Sequence, residues 1–198
     1  MKFFVNFLSA FRIAASFVII PTLWFQLTWL SLTLFVLAAL SDFFDGFLAR
    51  KYNVCTKLGG VMDHIGDKLI VVNTFIMIAI MMPLWFVIVP IIIMISRELY
   101  ISGLREFLGT QKIEMPVPKA RFSLGKVKTA FQMLTITAIL TVFALSTLNN
   151  PLPAKMLIVF RGLFMFGIVG LWVSLFASVA SATQYTFTFA EKLKKIKK

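Results

Sequence analysis

Apolar residues run through this chain in long blocks, and polar residues collect at the block ends. From Phe3 to Phe11 the polar Asn6 and Ser9 interrupt apolar and aromatic residues, which predicts a short amphipathic N-terminal segment. An apolar run then continues to about Phe25 as a first span, with Pro21 near its far end. The second span is expected from about Thr28 to Lys51, and a turn around Tyr52–Cys55 leads into a third, from about Thr56 to Met81. Pro83 marks the next turn. A fourth span follows from about Leu84 to Leu108, a fifth from about Ser123 to Ser146, and a sixth from about Met156 to Phe189. Each is long enough to cross a hydrocarbon layer of about 30 Å. The polar stretches GTQKIEMPVPKARF and NNPLPAK read as a surface loop and a turn. The pattern predicts an all-α polytopic membrane protein: six transmembrane helices, a short amphipathic N-terminal segment, one domain over residues 1–198, and a basic tail from about residue 190.

Composition agrees with the pattern. Sixty per cent of residues are hydrophobic and 14% are charged; the mean hydropathy is +0.92. A soluble globular domain is excluded by these values. The formal net charge of +12 would suit nucleic acid in a soluble protein. Here the basic residues lie between and beyond the apolar spans, so anionic lipid headgroups, or an anionic substrate held there, are the expected partners, with no nucleic acid. All but Lys155 and Arg161 of the 20 Lys and Arg residues fall on one side of the six-span scheme. The positive-inside rule makes that side cytoplasmic and puts both termini there. Arg12 interrupts the first apolar run and no small-residue cleavage pattern follows, so the N-terminal segment is read as retained. The single cysteine, Cys55, excludes an internal disulfide and reads as a small loop residue.

The acidic residues carry the chemistry. Asp42, Asp45, Asp63 and Asp67 are the only aspartates in the chain. Asp42 and Asp45 are i,i+3 and Asp63 and Asp67 are i,i+4, so each pair shares a helix face. Both pairs lie within a few turns of the connection between spans two and three, where they can face each other. Two charges about 4 Å apart repel by roughly 4 kcal/mol at an effective dielectric near 20. Protonation would relieve this; so would divalent cations, and hard oxygen ligands from two helices suit Mg²⁺ or Mn²⁺. Two ions about 3.5–4 Å apart are the arrangement used for displacement at phosphorus. The plainer reading pairs the aspartates with Arg50, Lys51, Lys57 and Lys68 as interfacial salt bridges. Gly46 and Gly59 would let a ligand approach the backbone closely, whereas Gly60 and Gly66 fit helix packing better. Arg50 ends the first stripe and could grip a phosphate bidentately.

The spacing Asp42-x2-Asp45-Gly46-x2-Ala49-Arg50-x8-Gly59-x3-Asp63-x3-Asp67 resembles the signature of the CDP-alcohol phosphatidyltransferases. The resemblance implies six-helix membrane enzymes, usually homodimers, that need Mg²⁺ or Mn²⁺. Such enzymes transfer a phosphatidyl group from a CDP-linked lipid to an alcohol and release CMP. It further implies that Asp42, Asp45 and Asp63 are metal ligands. Asp67 is implied to be the general base, also near the metal, and Gly46, Arg50 and Gly59 to contact the CDP moiety.

The acceptor alcohol must be sought in a second basic cluster. Arg97 and Arg105 lie eight apart on span four, hence near one face, and Lys126 and Lys128 open span five in GKVKT, after Arg121. Arg97, Arg105, Lys126 and Lys128 would suit the phosphate of a water-soluble acceptor. Plain positive-inside flanking charge is the alternative, as is pairing across helices through Arg97–Glu98 or Arg105–Glu106. SRELYISGLREF, GKVKTAFQM, MDHIGDKL and Asn6-x-x-Ser9-x-x-Arg12 resemble the bacterial branch of the family that makes phosphatidylglycerophosphate. His64 stands where that branch commonly has proline, and Ser9 where threonine is usual. This implies CDP-diacylglycerol and sn-glycerol 3-phosphate as substrates, in a bacterial inner (cytoplasmic) membrane. Phosphatidylglycerol, inositol phosphate and serine stay open as acceptors. His64, off the aspartate stripe, reads as structural or interfacial. A divalent-cation transporter would also place acids in a membrane, but near its centre with a polar path to both sides; here the acids gather at one end.

Overall fold

The computed structural model of the protein describes residues 2–52, 57–110, 124–148 and 153–196, with side chains over 7–41, 59–62, 64–109, 128–148 and 155–190. Six helices follow in order: α1 (Lys2–Trp24), α2 (Thr28–Tyr52), α3 (Lys57–Met81), α4 (Trp85–Thr110), α5 (Leu124–Ser146) and α6 (Ala154–Ile196). No strand occurs among the described residues. The expected polar loop and the NNP turn fall largely outside them. The segment Phe3–Phe11 and the first span form one helix, α1. The tail departs from expectation in a similar way. Helix α6 does not stop near Phe189 but runs 43 residues to Ile196. At about 1.5 Å per residue it spans about 64 Å, twice the hydrocarbon thickness.

Five helices are long and apolar enough to cross a membrane over Phe7–Trp24, Gly59–Met81, Trp85–Gly109, Lys128–Ser146 and Lys155–Ala190; α2 adds the shorter apolar stretch Thr28–Ser41. The protein is a polytopic all-α membrane protein. Its outer surface is correspondingly greasy: Phe17, Leu37, Ile92, Ile158, Val169 and Phe176 are all exposed, as lipid-facing side chains are. Several hydroxyls inside the bundle are satisfied on their own helices. Thr74, Thr137 and Thr141 donate to the carbonyls four residues back, at 2.6, 2.8 and 2.7 Å, which satisfies these three without a partner on another helix.

The turn between α1 and α2 is a Schellman cap. The Leu27 amide donates to the Thr22 carbonyl at 2.8 Å and the Gln26 amide to the Leu23 carbonyl at 3.0 Å. Gln26 adopts φ 58°, the left-handed geometry this cap needs.

The helices form a ring in the order α1, α2, α5, α6, α4, α3, with α3 also touching α5 across it. Helices α5 and α6 pack most intimately, as do α1 and α3; α2 and α3 touch each other only slightly. Helix α1 packs along both, because the small Gly66 on α3 admits it. A Cβ at Gly66 would lie 3.4 Å from Arg12 Cβ and 3.6 Å from the Ser9 carbonyl oxygen. The core joins Ile19 and Leu23 of α1, Phe35 of α2, Ile70 and Ile78 of α3, Ile91 and Met94 of α4, Ile136 and Leu140 of α5, and Leu171 of α6.

Candidate active site

Cross-helix contacts show which helix ends meet. The N-terminal half of α3 meets the C-terminal half of α4 through Lys68 and Ser102. The middle of α4 meets the C-terminal half of α6 through Arg97 and Ser181, and the C-terminal half of α4 does so through Arg105 and Tyr185. The start of α5 reaches α4 through Lys128 and Glu98, and α1 reaches α3 through Arg12 and Asp67. At the other end, Thr28 and Thr147 join the start of α2 to the residue just after α5 at 3.3 Å. The bundle runs up and down, and its charged contacts collect at one end.

All four aspartates lie on helices, Asp42 and Asp45 on α2 and Asp63 and Asp67 on α3. The side chains of Asp42, Asp45, Arg50 and Asp63 fall outside the described ones, and so do the surroundings of Gly46. Gly59 is buried on α3. Gly60 is exposed, with nothing within 4 Å of an added Cβ, so it packs no helix there; Gly66 does. His64 is exposed.

Asp67 is the one described carboxylate of the four. Its side chain is 34% exposed and forms an ion pair with Arg12, whose side chain is 1% exposed. In the sequence Arg12 stands out as an interruption of an apolar run and as the end of Asn6-x-x-Ser9-x-x-Arg12, with no partner indicated. That interruption was the available signal, since a lone cation inside a span needs a carboxylate to face.

The second cluster assembles on α3, α4, α5 and α6. Arg97 donates from Nε to the Ser178 carbonyl at 3.0 Å, from Nη2 to Ser181 Oγ at 2.9 Å, and from Nη1 to Glu98 Oε1 at 3.1 Å. The same Glu98 oxygen pairs with Lys128. Arg105 donates to Tyr185 Oη at 2.9 Å and stacks on its ring, 5.1 Å from the centroid. Lys68 donates to Ser102 Oγ at 2.5 Å. Lys68, Arg97, Arg105 and Lys128 are near enough to one another for mutual repulsion to register. The one carboxylate ion-paired with them among the described residues is Glu98. Four cations against one acid leave an anion-seeking surface.

Arg97, Arg105 and Lys128 are thus brought together as anticipated. Lys126 lies on α5 two residues before Lys128, its side chain outside the described ones. The alternative pairings take a different form. Arg97 and Glu98 pair within α4, and Arg105 turns to Tyr185 of α6. Glu98 reaches across to Lys128; among the described residues α4 and α5 have no close backbone contact, and long side chains bridge the gap. Lys68 is a member the sequence reading assigned elsewhere, as a partner for aspartates.

Among the described residues no group of three or more His, Cys, Asp or Glu side chains forms a metal-sized site. Two carboxylate pairs stand on helices, and Asp67 is half-buried at the charged end. That is an all-oxygen set suited to a hard divalent cation.

Fold and site together define an integral membrane protein whose basic side chains gather at one end of its bundle. The sequence matches the CDP-alcohol phosphatidyltransferase family over residues 3–190, nearly the whole chain, and the protein belongs to that family. Curated relatives agree. A CDP-diacylglycerol–glycerol-3-phosphate 3-phosphatidyltransferase of Rickettsia bellii is 37% identical over 183 residues, covering 91% of each chain. The protein of that name from Rickettsia typhi is 35% identical over 191 residues, 93% of this chain and 96% of its own. A third, from Cereibacter sphaeroides, is 41% identical over 138 residues, 66% of this chain and 60% of its own.

Proposed function

We propose that the protein transfers the phosphatidyl group of CDP-diacylglycerol to sn-glycerol 3-phosphate, giving phosphatidylglycerophosphate and CMP. The observation that carries this reading is the adjacency of Asp67 and Lys68 on α3. Asp67 stands at the α1–α3 seam with the aspartate signature, and Lys68 reaches Ser102 in the cationic cluster. A small acceptor with a hydroxyl near one end and a phosphate at the other would bridge these two places. Its hydroxyl would face Asp67, and its phosphate Lys68, Arg97, Arg105, Lys126 and Lys128. The names of the relatives point to the same acceptor.

The acceptor oxygen forms a bond to the lipid-side phosphorus, the bond from that phosphorus to the CMP oxygen breaks, and Asp67 takes the hydroxyl proton. Two Mg²⁺ or Mn²⁺ ions held by Asp42, Asp45 and Asp63, with Asp67 adjoining, would supply charge neutralisation on the pyrophosphate and the departing CMP. Gly46 and Gly59 give the nucleotide a close approach to the backbone, and Arg50 binds its phosphate. The reaction then takes place at the cytoplasmic face of a bacterial inner membrane, with both termini on that side, on a homodimer surrounded by anionic lipid.

The test is an assay of the purified protein with CDP-diacylglycerol and labelled glycerol 3-phosphate, following CMP and labelled lipid, with and without EDTA. Labelled phosphatidylglycerophosphate formed only without chelator is the expected result. CMP release driven instead by phosphatidylglycerol, inositol phosphate or serine would reassign the acceptor, and turnover indifferent to EDTA would remove the metals.

A further inference from the structure

The mechanism above leaves one buried ionic group unused. Arg12 is among the most deeply buried large side chains of the protein, at 1% exposure, and its Nη1 donates to Asp67 Oδ1. Holding α1 against α3 does not require it. Ala15, Ile19 and Leu23 of α1 and Ile70 and Ile78 of α3 already belong to one apolar core. Asn73 Nδ2 donates to the Ser16 carbonyl at 2.9 Å and fixes the register of the two helices. A buried ion pair is weak as glue, because desolvation offsets most of its attraction. It is strong as a geometric constraint, because a guanidinium offers rigid, planar donors.

The backbone is arranged to bring the pair together. Gly66 precedes Asp67 and lets Arg12 Cβ approach to 3.4 Å of the place where a side chain would begin. Any large residue at 66 would push α1 outward and carry the guanidinium with it. Two successive residues of α3 are therefore each tied to a different neighbour: Asp67 to Arg12 on α1, and Lys68 to Ser102 on α4.

We infer that Arg12 is a positioning residue: its guanidinium fixes the Asp67 carboxylate in the orientation that receives the proton of the acceptor hydroxyl. This rests on the reading of Asp67 as the proton acceptor. Arg12 itself touches no substrate in this scheme and acts only through Asp67. Its effect belongs on the rate of the chemical step, since a carboxylate turned away by even 1 Å can cost up to about a hundredfold.

The experiment is steady-state kinetics on the full-length protein in detergent, with rates normalised to folded protein by gel filtration. The variants are Arg12→Lys, Arg12→Gln, Asp67→Asn and the double variant Arg12→Gln/Asp67→Asn. Arg12→Gln is expected to lower kcat by about a hundredfold and Arg12→Lys by about tenfold, with both KM values within about twofold of wild type. The double variant is expected to be no slower than Asp67→Asn alone. Arg12 variants with wild-type kcat overturn the inference, as does a rise in KM at constant kcat, or a double variant much slower than Asp67→Asn. If Arg12→Gln does not fold, Arg12→Lys, which keeps the charge, decides by the same criterion on kcat. Wild-type turnover by Asp67→Asn would instead remove the proton-acceptor reading and this inference with it. An inactive Asp67→Asn beside fully active Arg12 variants sinks this inference alone.

Discussion

Lys68 Nζ donates to Ser102 Oγ at 2.5 Å, and Ser102 Oγ donates in turn to the Glu98 carbonyl at 2.7 Å. Through this chain the residue after Asp67 is fastened to the helix that carries Arg97 and Arg105. The α3–α4 contact is among the slightest in the ring, so this polar link is a large share of what joins the two helices there. Replacing Lys68 with Met keeps the apolar stem and removes the cation. The acceptor KM of Lys68→Met is expected to rise by about tenfold or more, with the KM for CDP-diacylglycerol unchanged within about twofold, because a charged hydrogen bond contributes about 1.5–3 kcal/mol. Initial-rate kinetics varying one substrate at a time check this. An equal rise in both KM values would mean that Lys68 supports the fold and not the acceptor.

Arg105 is exposed yet held, by its hydrogen bond to Tyr185 Oη and by stacking on the Tyr185 ring. Such a clamp pre-organises a guanidinium for a phosphate. Arg105→Ala is expected to raise the acceptor KM more than the donor KM. Tyr185→Phe keeps the stack and loses the hydrogen bond, so its effect on the acceptor KM should be smaller, about two- to fivefold for a bond of about 0.5–1 kcal/mol. The same kinetics decide. A Tyr185→Phe variant worse than Arg105→Ala would place the tyrosine, not the arginine, against the acceptor.

Glu98 sets the charge of the cluster. Its carboxylate serves Arg97 and Lys128, whose side chains are 10% and 7% exposed. With Glu98→Gln, two largely buried cations lose their counter-ion while Lys68 and Arg105 still repel them. Removing one partner of a buried pair costs about 3–5 kcal/mol, and partial exposure of Glu98 reduces this to about 2–3 kcal/mol. The expected outcome is a melting temperature several degrees lower in detergent, recovered in part by millimolar inorganic phosphate or glycerol 3-phosphate. A ligand at 100 times its Kd stabilises by about 2.7 kcal/mol. If phosphate stabilises neither variant nor wild type, the cluster does not bind anions.

The helices were legible in the sequence because a membrane enforces long apolar blocks. The predicted end of the third span at Met81 and of the fifth at Ser146 coincide with the helix ends of the structure. The end of α6 was not legible, because a helix leaving the membrane swaps apolar for polar residues without ceasing to be a helix, and EKLKKI forms helix readily. The placing of the aspartates in two pairs on α2 and α3 was legible from their spacing, and Arg97 stood out as a cation inside an apolar span. The partners of Arg97 and Arg105 were not legible. Ser178, Ser181 and Tyr185 come from a helix some 80 residues away in the chain, and nothing local distinguishes them from packing residues. Arg12 faces Asp67 because Gly66 brings α1 onto α3, a tertiary fact written in a glycine whose neighbour in space is 54 positions away. That glycine had been assigned to packing, but not to this partner.

The α5–α6 seam offers a test of the fold that is independent of the chemistry. On α6, a Cβ at Gly167 would stand 2.7 Å from Ile139 Cγ1, and one at Gly170 would run into Thr135 Oγ1 and lie 3.3 Å from Thr135 Cβ. Small residues at such crossings let helices approach within membranes. Thr135 and Ile139 are both fully buried, so neither can swing into open space. Gly170→Ala is expected to destabilise by about 1–3 kcal/mol through overpacking. Thr135→Ala alone should change little, because Thr135 Oγ1 is buried without a hydrogen-bond partner and its loss strands nothing. The double variant Thr135→Ala/Gly170→Ala should recover most of the stability lost in Gly170→Ala, since the clashing atoms are gone; a coupling of at least about 0.5–1 kcal/mol marks residues in direct contact. Gly103→Ala is the control. Nothing lies within 4 Å of its added Cβ, and mid-helix alanine is favoured over glycine by about 0.5–1 kcal/mol, so this variant should be neutral or more stable. Thermal unfolding of the five proteins in one detergent gives the answer. Additive effects of Thr135→Ala and Gly170→Ala would mean that α5 and α6 do not meet at this pair.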